Sequence, residues 1–176
     1  MSFFLPKQMR ENMWYVLKAV ILMCFGRGAE EIQYLKEAGI ETEEIPGISS
    51  AIAVPAMAGI PVTHRDVSRS FSIITGHTSG DGKDGEKTLH ADIRNSAAMD
   101  GTCVYLMGLT HLKEIADTLM KEGKSEDTPA AVISGGFDGT YKAVRGTLKD
   151  IVEKTAKEGI QSPAVIVTGD TVNMNI

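Results

Sequence analysis

Only two cysteines, Cys24 and Cys103, occur in 176 residues, which excludes a disulfide framework and a cysteine-based metal knuckle. A reducing, cytoplasmic setting is the expectation, with no structural metal. The chain has no excess of positive charge either: 18 Lys and Arg stand against 23 Asp and Glu, for a net charge of −5 and a pI near 5.4. A nucleic-acid surface needs Lys and Arg to displace counterions from phosphates, so nucleic acid is excluded as a partner and any basic site is local. Long apolar runs are missing too. The stretch Met13 to Phe25 contains Lys18, and a bilayer core needs about 20 apolar residues. No membrane span is expected. Nor does the small-residue cleavage site of a signal peptide follow, because Phe25-Gly26-Arg27 comes next. Taken alone, this stretch is a short buried strand. What is present is 43% hydrophobic and 23% charged residues at a mean hydropathy of −0.04, the composition of a soluble globular protein. At 18.9 kDa there is enough chain for one large domain or two small ones, each with a core.

From Gly28, apolar residues recur at a period of about 3.6 through Ile32, Leu35 and Ala38, and Gly39 ends the predicted helix. Glu43 to Pro46 reads as a short strand. Pro46-Gly47 then turns the chain into Ser49, a candidate N-cap for a small-residue helix through Met57 and Ala58. The polar connector Thr63 to Ser70 is the expected domain boundary. Beyond it strands and helices alternate. Strands are predicted at Phe71 to Thr75, Cys103 to Met107, Ala130 to Ser134, near Lys142 to Arg145, and at Ala164 to Thr168. Helices are predicted near Leu89 to Ala98, at Leu112 to Lys121 and at Leu148 to Lys157, with a Gly/Asp/Lys loop from Gly76 to Lys87. The fold class is α/β. The link Gly135 to Gly139 is too short for a helical crossover, so its flanking strands should pair antiparallel and the sheet should be mixed.

In open α/β sheets ligands lie beyond the carboxyl ends of strands. Three strands end there in small or turn residues: Thr75-Gly76-His77, Met107-Gly108 and Ser134-Gly135-Gly136. Glycine at such ends lets backbone amides approach a ligand. His64, Arg65 and Arg69 form the one concentrated positive stretch, readable as a solvated loop or as a carboxylate-binding site. Phe25-Gly26-Arg27-Gly28-Ala29-Glu30-Glu31 has the look of a dinucleotide-binding turn, with Glu43 or Glu44 spaced for a ribose contact. Against an NAD site, the third glycine is absent and Glu30 and Glu31 suit the helix dipole instead. No Ser/His/Asp triad or Cys/His nucleophile shows at a recognisable spacing.

Further motifs join these in order along the chain: Pro46-Gly47-Ile48-Ser49-Ser50-Ala51, Ala58 to Asp66, Tyr105-Leu106-Met107-Gly108-Leu109, Arg145-Gly146-Thr147-Leu148 and Ser162-Pro163-Ala164. Together with Phe25 to Glu31 and Thr75-Gly76-His77 they resemble the tetrapyrrole methylase family over about Phe25 to Val172. Thr63-His64-Arg65-Asp66 and Thr75-Gly76-His77 favour the branch of uroporphyrinogen-III C-methyltransferases. The resemblance implies S-adenosyl-L-methionine bound between two α/β domains, C-methylation of uroporphyrinogen III at C2 and C7 to precorrin-2 on the way to siroheme and cobalamin, and a homodimer. The family's Thr-Ala cofactor contact falls on Ser49 and Ser50, its strand-end methionine on Met107, and its Asn-Gly contact on Gly135-Gly136, with Met107 and Gly136 identical. An octacarboxylate substrate needs cations, for which Arg27, His64, Arg65 and Arg69 are the candidates. The family's catalytic acid and lysine belong to an N-terminal strand-helix segment without a counterpart here, so no catalytic residue is assigned. An alternative of a different class is a non-catalytic remnant that dimerises or binds tetrapyrrole.

Where the family carries Gly-Gly-Asp-Pro before Phe-Gly-Arg-Gly, this chain has Ala19-Val20-Ile21-Leu22. Back-translation with the frame shifted, each new codon taking the last base of one codon and two of the next, forces Val at Met13-Trp14, at Trp14-Tyr15 and at Met23-Cys24. Allowed codons between them permit Val-Val-Arg-Leu-Lys-Gly-Gly-Asp-Pro-Tyr-Val-Phe, the family's own sequence. The expected organisation is therefore residues 1–24 out of frame, 25–69 the remnant of an N-terminal domain with the connector, and 70–176 a C-terminal domain. The nucleotide sequence around the Cys24 and Phe25 codons tests this. Removing one base from a run of T should open a frame that continues upstream through Gly-Gly-Asp-Pro to a Gly-rich turn. A stop codon close upstream in that frame would contradict it.

Overall fold

The computed structural model describes residues 2–5, 15–18, 21–76, 91–135, 140–174 and 176. By compactness the chain divides into Met1–Ser49 and Ser50–Ile176.

In the larger unit, short runs of Val, Ile, Ala and Thr form strands β3 (Phe71–Thr75), β4 (Thr102–Leu106), β5 (Pro129–Ser134), β6 (Lys142–Thr147) and β7 (Ala164–Thr168). They make one sheet in the order β3-β4-β7-β5-β6. β3 and β4 pair parallel, whereas β7 is antiparallel to both β4 and β5, and β5 to β6. The sheet is mixed, as the short link after Ser134 requires. Since β4 and β5 both oppose β7, they run the same way as β3, and the carboxyl ends of all three lie along one edge.

Period-two alternation divides the buried residues between two cores. Cys103 and Tyr105 of β4, Val132 of β5 and Ile166 of β7 face a core completed by Ile93, Leu112, Ile115, Leu119 and Ile151. Val104, Leu106, Ile133, Val165 and Val167 face the other core, with Ala51, Ile60 and Val172. The first core is covered by helix α3 (residues 91–97), α4 (Leu112–Lys121) and α5 (Ile151–Lys157), and the second by α2 (Ser50–Met57). Every residue of β4 and β5 is buried, as expected of inner strands covered on both faces.

Helix α5 starts three residues later than the apolar pattern predicts. The amides of Leu148 and Lys149 are taken by Thr128 O at 3.0 Å and Glu126 O at 3.1 Å, so the chain is still pinned to the loop before β5. Asp150 Oδ1 accepts the Thr147 amide at 2.7 Å, and a Cβ on Gly146 would overlap that oxygen. Lys154 and this amide hold the Asp150 carboxyl below the usual carboxylate range. The Arg-Gly-Thr motif is thus a local packing unit. Its Arg145 donates to the backbone carbonyls of Ala58 (2.6 Å), Val172 (2.9 Å) and Met174 (2.8 Å), tying the end of α2 to the last turn of the chain.

In the smaller unit, β1 (Ser2–Leu5) and β2 (Tyr15–Lys18) form an antiparallel hairpin, paired with each other alone among the described strands. Lys18 bonds to Glu31 and to Gly26 O. Helix α1 spans Gly28–Glu37 and ends in the turn of Gly39, at φ 73°, as the sequence predicts. The strand expected at Glu43 to Pro46 is absent: residues 40–49 have no regular structure. An extended segment becomes a strand only when a neighbour takes its N–H and C=O groups, and no described strand lies beside this one. Among described residues 21–49 only Gly26 and Gly28 are buried.

Arg145→Met keeps the aliphatic stem but leaves three carbonyls without their charged donor. A loss of about 2–3 kcal/mol is expected, read as a drop in Tm of about 2–4 °C per kcal/mol. An unchanged Tm would show that the clamp is not structural.

Candidate functional site

The carboxyl edge of the sheet is shaped by glycines. The Gly76 amide extends the β3–β4 ladder by donating to Leu106 O at 2.7 Å. A Cβ on Gly76 would overlap Gly108 Cα and lie 2.9 Å from its nitrogen, so the two strand ends meet backbone to backbone. One on Gly108 would press on Ile115 Cδ1 at 3.0 Å and Ile166 Cδ1 at 3.1 Å. Between Leu106 and Gly108, Met107 is forced into the left-handed region at φ 57°, with 51% of its surface exposed. That conformation costs a non-glycine residue about 1–2 kcal/mol, and such strain concentrates at ligand-binding positions. Farther along the same edge Gly135, at φ 102°, follows β5, and a Cβ there would lie 2.7 Å from Tyr141 Cα. Gly76 and Gly108 are buried in this contact, so the edge presents the exposed backbone of Gly135 and one projecting thioether.

The sequence-derived residues divide between this edge and other places. Met107 stands on it. Gly136, and His77 of the Thr-Gly-His motif, lie outside the described residues. Ser50 opens α2 and is exposed; Ser49, half-buried, is the last residue of the smaller unit. Arg27 also belongs to that unit, where it precedes α1 at φ 57° and pairs with Glu30 at 2.8 Å. His64, Arg65 and Arg69 share the connector, a tight loop closed by His64 N–H to Ser68 O at 2.8 Å and Ser68 N–H to His64 O at 2.9 Å. The Asp66 amide donates to His64 Nδ1 at 3.3 Å, and Arg69 Nε to Arg65 O at 3.5 Å. Among the described residues no carboxylate forms an ion pair with Arg65 or Arg69.

The connector is stitched to the opposite edge of the sheet. Ser70 Oγ donates to Asp100 O at 3.0 Å, and the Thr102 hydroxyl bonds both Ser68 Oγ (3.2 Å) and Thr171 Oγ1 (2.9 Å) at the start of β4. The length of β4, roughly 16 Å at strand rise, separates this basic loop from Met107. The structure thus gathers Gly76, Met107, Gly108 and Gly135, and keeps His64, Arg65 and Arg69 apart from them. Sequence reasoning located the strand-end glycines but missed the contact between Gly76 and Gly108 and the strain it imposes on Met107. The one available signal was that two adjacent parallel strands both end in glycine.

Cys103 and Tyr105 are closed off in the core. Burial pushes the Cys103 thiol and the Tyr105 hydroxyl up, and Tyr105 is bonded to Ser96 Oγ at 2.8 Å inside the core. Among the described residues no cluster of His, Cys, Asp and Glu could hold a metal ion, and no helix is long and apolar enough to cross a membrane.

The sequence profile of the Tetrapyrrole (Corrin/Porphyrin) Methylases matches residues 22–152. The chain is 48% identical over 151 residues to a uroporphyrinogen-III C-methyltransferase of Methanocaldococcus jannaschii, which covers 85% of this chain and 60% of that protein. It is 44% identical over 151 residues to an S-adenosyl-L-methionine-dependent uroporphyrinogen III methyltransferase of Methanosarcina barkeri, covering 86% of this chain and 58% of that one. In three dimensions it is similar to a uroporphyrin-III C-methyl transferase from Thermus thermophilus, solved in complex with S-adenyl homocysteine. The TM-score is 0.71 at 29% identity, over 87% of this chain and 64% of that chain. The chain thus spans about 60% of the length of these two curated relatives.

Two substitutions at the edge should act in opposite directions. Gly76→Ala puts a methyl group against fixed backbone and is expected to cost about 1–3 kcal/mol. Met107→Gly removes the strain and should hold or raise Tm. Thermal denaturation reads both, and a neutral Gly76→Ala or a strongly destabilised Met107→Gly would contradict the close approach described above.

Proposed function

The chain belongs to the tetrapyrrole (corrin/porphyrin) methylases, and on that premise we propose that it carries the C-terminal part of an S-adenosyl-L-methionine-dependent C-methyltransferase acting on uroporphyrinogen III. The observation that carries this reading is Met107, strained and exposed at an edge where glycines end the strands. That edge fits an extended ligand with its own donors and acceptors, because Met107 and Gly135 are exposed on it while the buried glycines Gly76 and Gly108 keep side chains out of the strand ends. When bound, the cofactor would supply a methyl group on a sulfonium, transferred by in-line displacement to a nucleophilic carbon of the substrate. The protein's part is orientation and exclusion of water rather than acid or base chemistry from this half.

Ser49 and Ser50 before and at the first turn of α2, Met107, and Gly136 hold the cofactor in this reading. Arg27, His64, Arg65 and Arg69 meet substrate carboxylates. With β4 between the connector and Met107, His64, Arg65 and Arg69 serve peripheral carboxylates rather than the reacting carbon. Residues 25–69 are the remnant of an N-terminal domain with the connector, 70–176 the C-terminal domain, and 1–24 a shifted-frame segment. A homodimer in the cytoplasm completes the reading. The family match replaces the NAD alternative. A second reading, a remnant that binds without turnover, is favoured by the lack of buried side chains in described residues 21–49.

Both are tested by titrating S-adenosylhomocysteine against the isotope-labelled chain, with calorimetry and a methylation assay on uroporphyrinogen III. The expected result is binding weaker than roughly 100 µM, because the contacts present bear the whole ordering cost. Chemical-shift changes should centre on Gly76, Met107, Gly108 and Gly135, without turnover. Changes elsewhere only would contradict the cofactor assignment, and tight binding with turnover would contradict the incompleteness.

A further inference from the structure

We propose that Ile115 and Ile166 are positioning residues for the carboxyl edge of the sheet. Their δ-methyl groups hold the Gly108 backbone in place and through it keep Met107 in its left-handed, outward conformation. What this implies for a ligand rests on the methylase reading; what it implies for the backbone does not.

Met107 is constrained from both sides. On its amino side the Leu106 carbonyl accepts the Gly76 amide at 2.7 Å, so the peptide entering Met107 belongs to the β3–β4 ladder. On its carboxyl side Gly108 is enclosed. Gly76 closes one approach to it, and its carbonyl accepts the His111 amide at 2.9 Å in the turn Leu109–His111 that leads into α4. Where a side chain would begin, the δ-methyls of Ile115 and Ile166 stand 3.0 and 3.1 Å from an ideal Cβ. Both isoleucines are 1% exposed. One comes from α4 and the other from β7, so the floor under Gly108 is built where helix meets sheet.

A left-handed φ is disfavoured for a residue with a Cβ. Met107, at φ 57°, therefore persists there only while its surroundings forbid the alternative. The other restraints are main-chain contacts among Gly76, Leu106, Gly108 and His111, whereas the two δ-methyls are side-chain groups that substitution can remove. A close-packed floor with one methyl missing leaves a gap into which Gly108 can settle. That movement turns the Met107–Gly108 peptide and lets Met107 return to the right-handed region. The thioether then leaves the place where the cofactor meets it in the methylase reading. Two core residues thus set the fraction of molecules competent to bind, and apparent affinity scales with that fraction.

Solution NMR of the free chain reads the backbone directly, because a residue at positive φ gives a strong intraresidue HN–Hα NOE. Ile115→Val and Ile166→Val each remove one δ-methyl and should weaken this NOE at Met107. Ile151→Val makes the same deletion in the same core, on α5 over β5 and β6, and should leave it unchanged. A Met107→Gly background gives a second measurement. In the native sequence, part of the packing lost in Ile166→Val returns as relieved strain. With glycine at position 107 there is no strain to relieve, so the same substitution should lower Tm further there. An unchanged NOE in either isoleucine variant, or an additive cycle, overturns the proposal. Titration with S-adenosylhomocysteine reads the ligand separately. The apparent Kd should rise about threefold or more in Ile115→Val and Ile166→Val, the reciprocal of a competent fraction of about one third, and should hold in Ile151→Val. A weakened NOE with unchanged Kd overturns the claim on the ligand. An unsubstituted chain whose edge shows no shift with S-adenosylhomocysteine contradicts the methylase reading and leaves the backbone result standing.

Discussion

Two parallel strands, β3 and β4, end so close together that no side chain fits between them, and this approach determines the character of the sheet's carboxyl edge. Gly76 and Gly108 meet backbone to backbone, so the residue between β4 and Gly108 has nowhere to go but outward. Met107 takes a conformation that L residues avoid, and its side chain is left half in solvent. The strain is sustained because β4, β7 and β5 are locked between two cores and cannot shift to relieve it. Gly135 leaves exposed backbone at the end of β5. The edge is held in place by the two cores that enclose β4, β7 and β5.

The two units differ in how much their described residues bury. Buried side chains of the large unit form two continuous cores, and Arg145 binds α2 to the chain's last turn through three carbonyls. Described residues 21–49 bury only two glycines and hold a helix by capping and local bonds. Helical propensity and caps contribute little beside tertiary burial, so stability should be distributed just as unequally along the chain.

What the sequence disclosed follows from the same division. Strands β3 and β7 and helix α4 have the bounds that their patterns predict, because each is closed by glycine, serine or a loop polar enough to end it. The mixed sheet was legible from the short link after Ser134, a matter of chain length alone. Pattern failed where a partner decides the structure. Glu43 to Pro46 has the composition of a strand but no described neighbour, and α5 is delayed by amides committed to Thr128 and Glu126. Composition placed His64, Arg65 and Arg69 together as one basic stretch, which they are. That the stretch lies a strand's length from Met107 is a fact of topology that no local pattern encodes.

Limited proteolysis followed by mass spectrometry of the fragment ends tests the central claim, that the five-stranded sheet with its strained edge is a stable unit independent of what precedes it. Early cuts should fall before Ser50 and leave a long-lived fragment that begins near Ser50, with α2 and β3 to β7 retained. Digestion that proceeds through the sheet at the same rate, or a resistant fragment that keeps residues 21–49, would contradict the account.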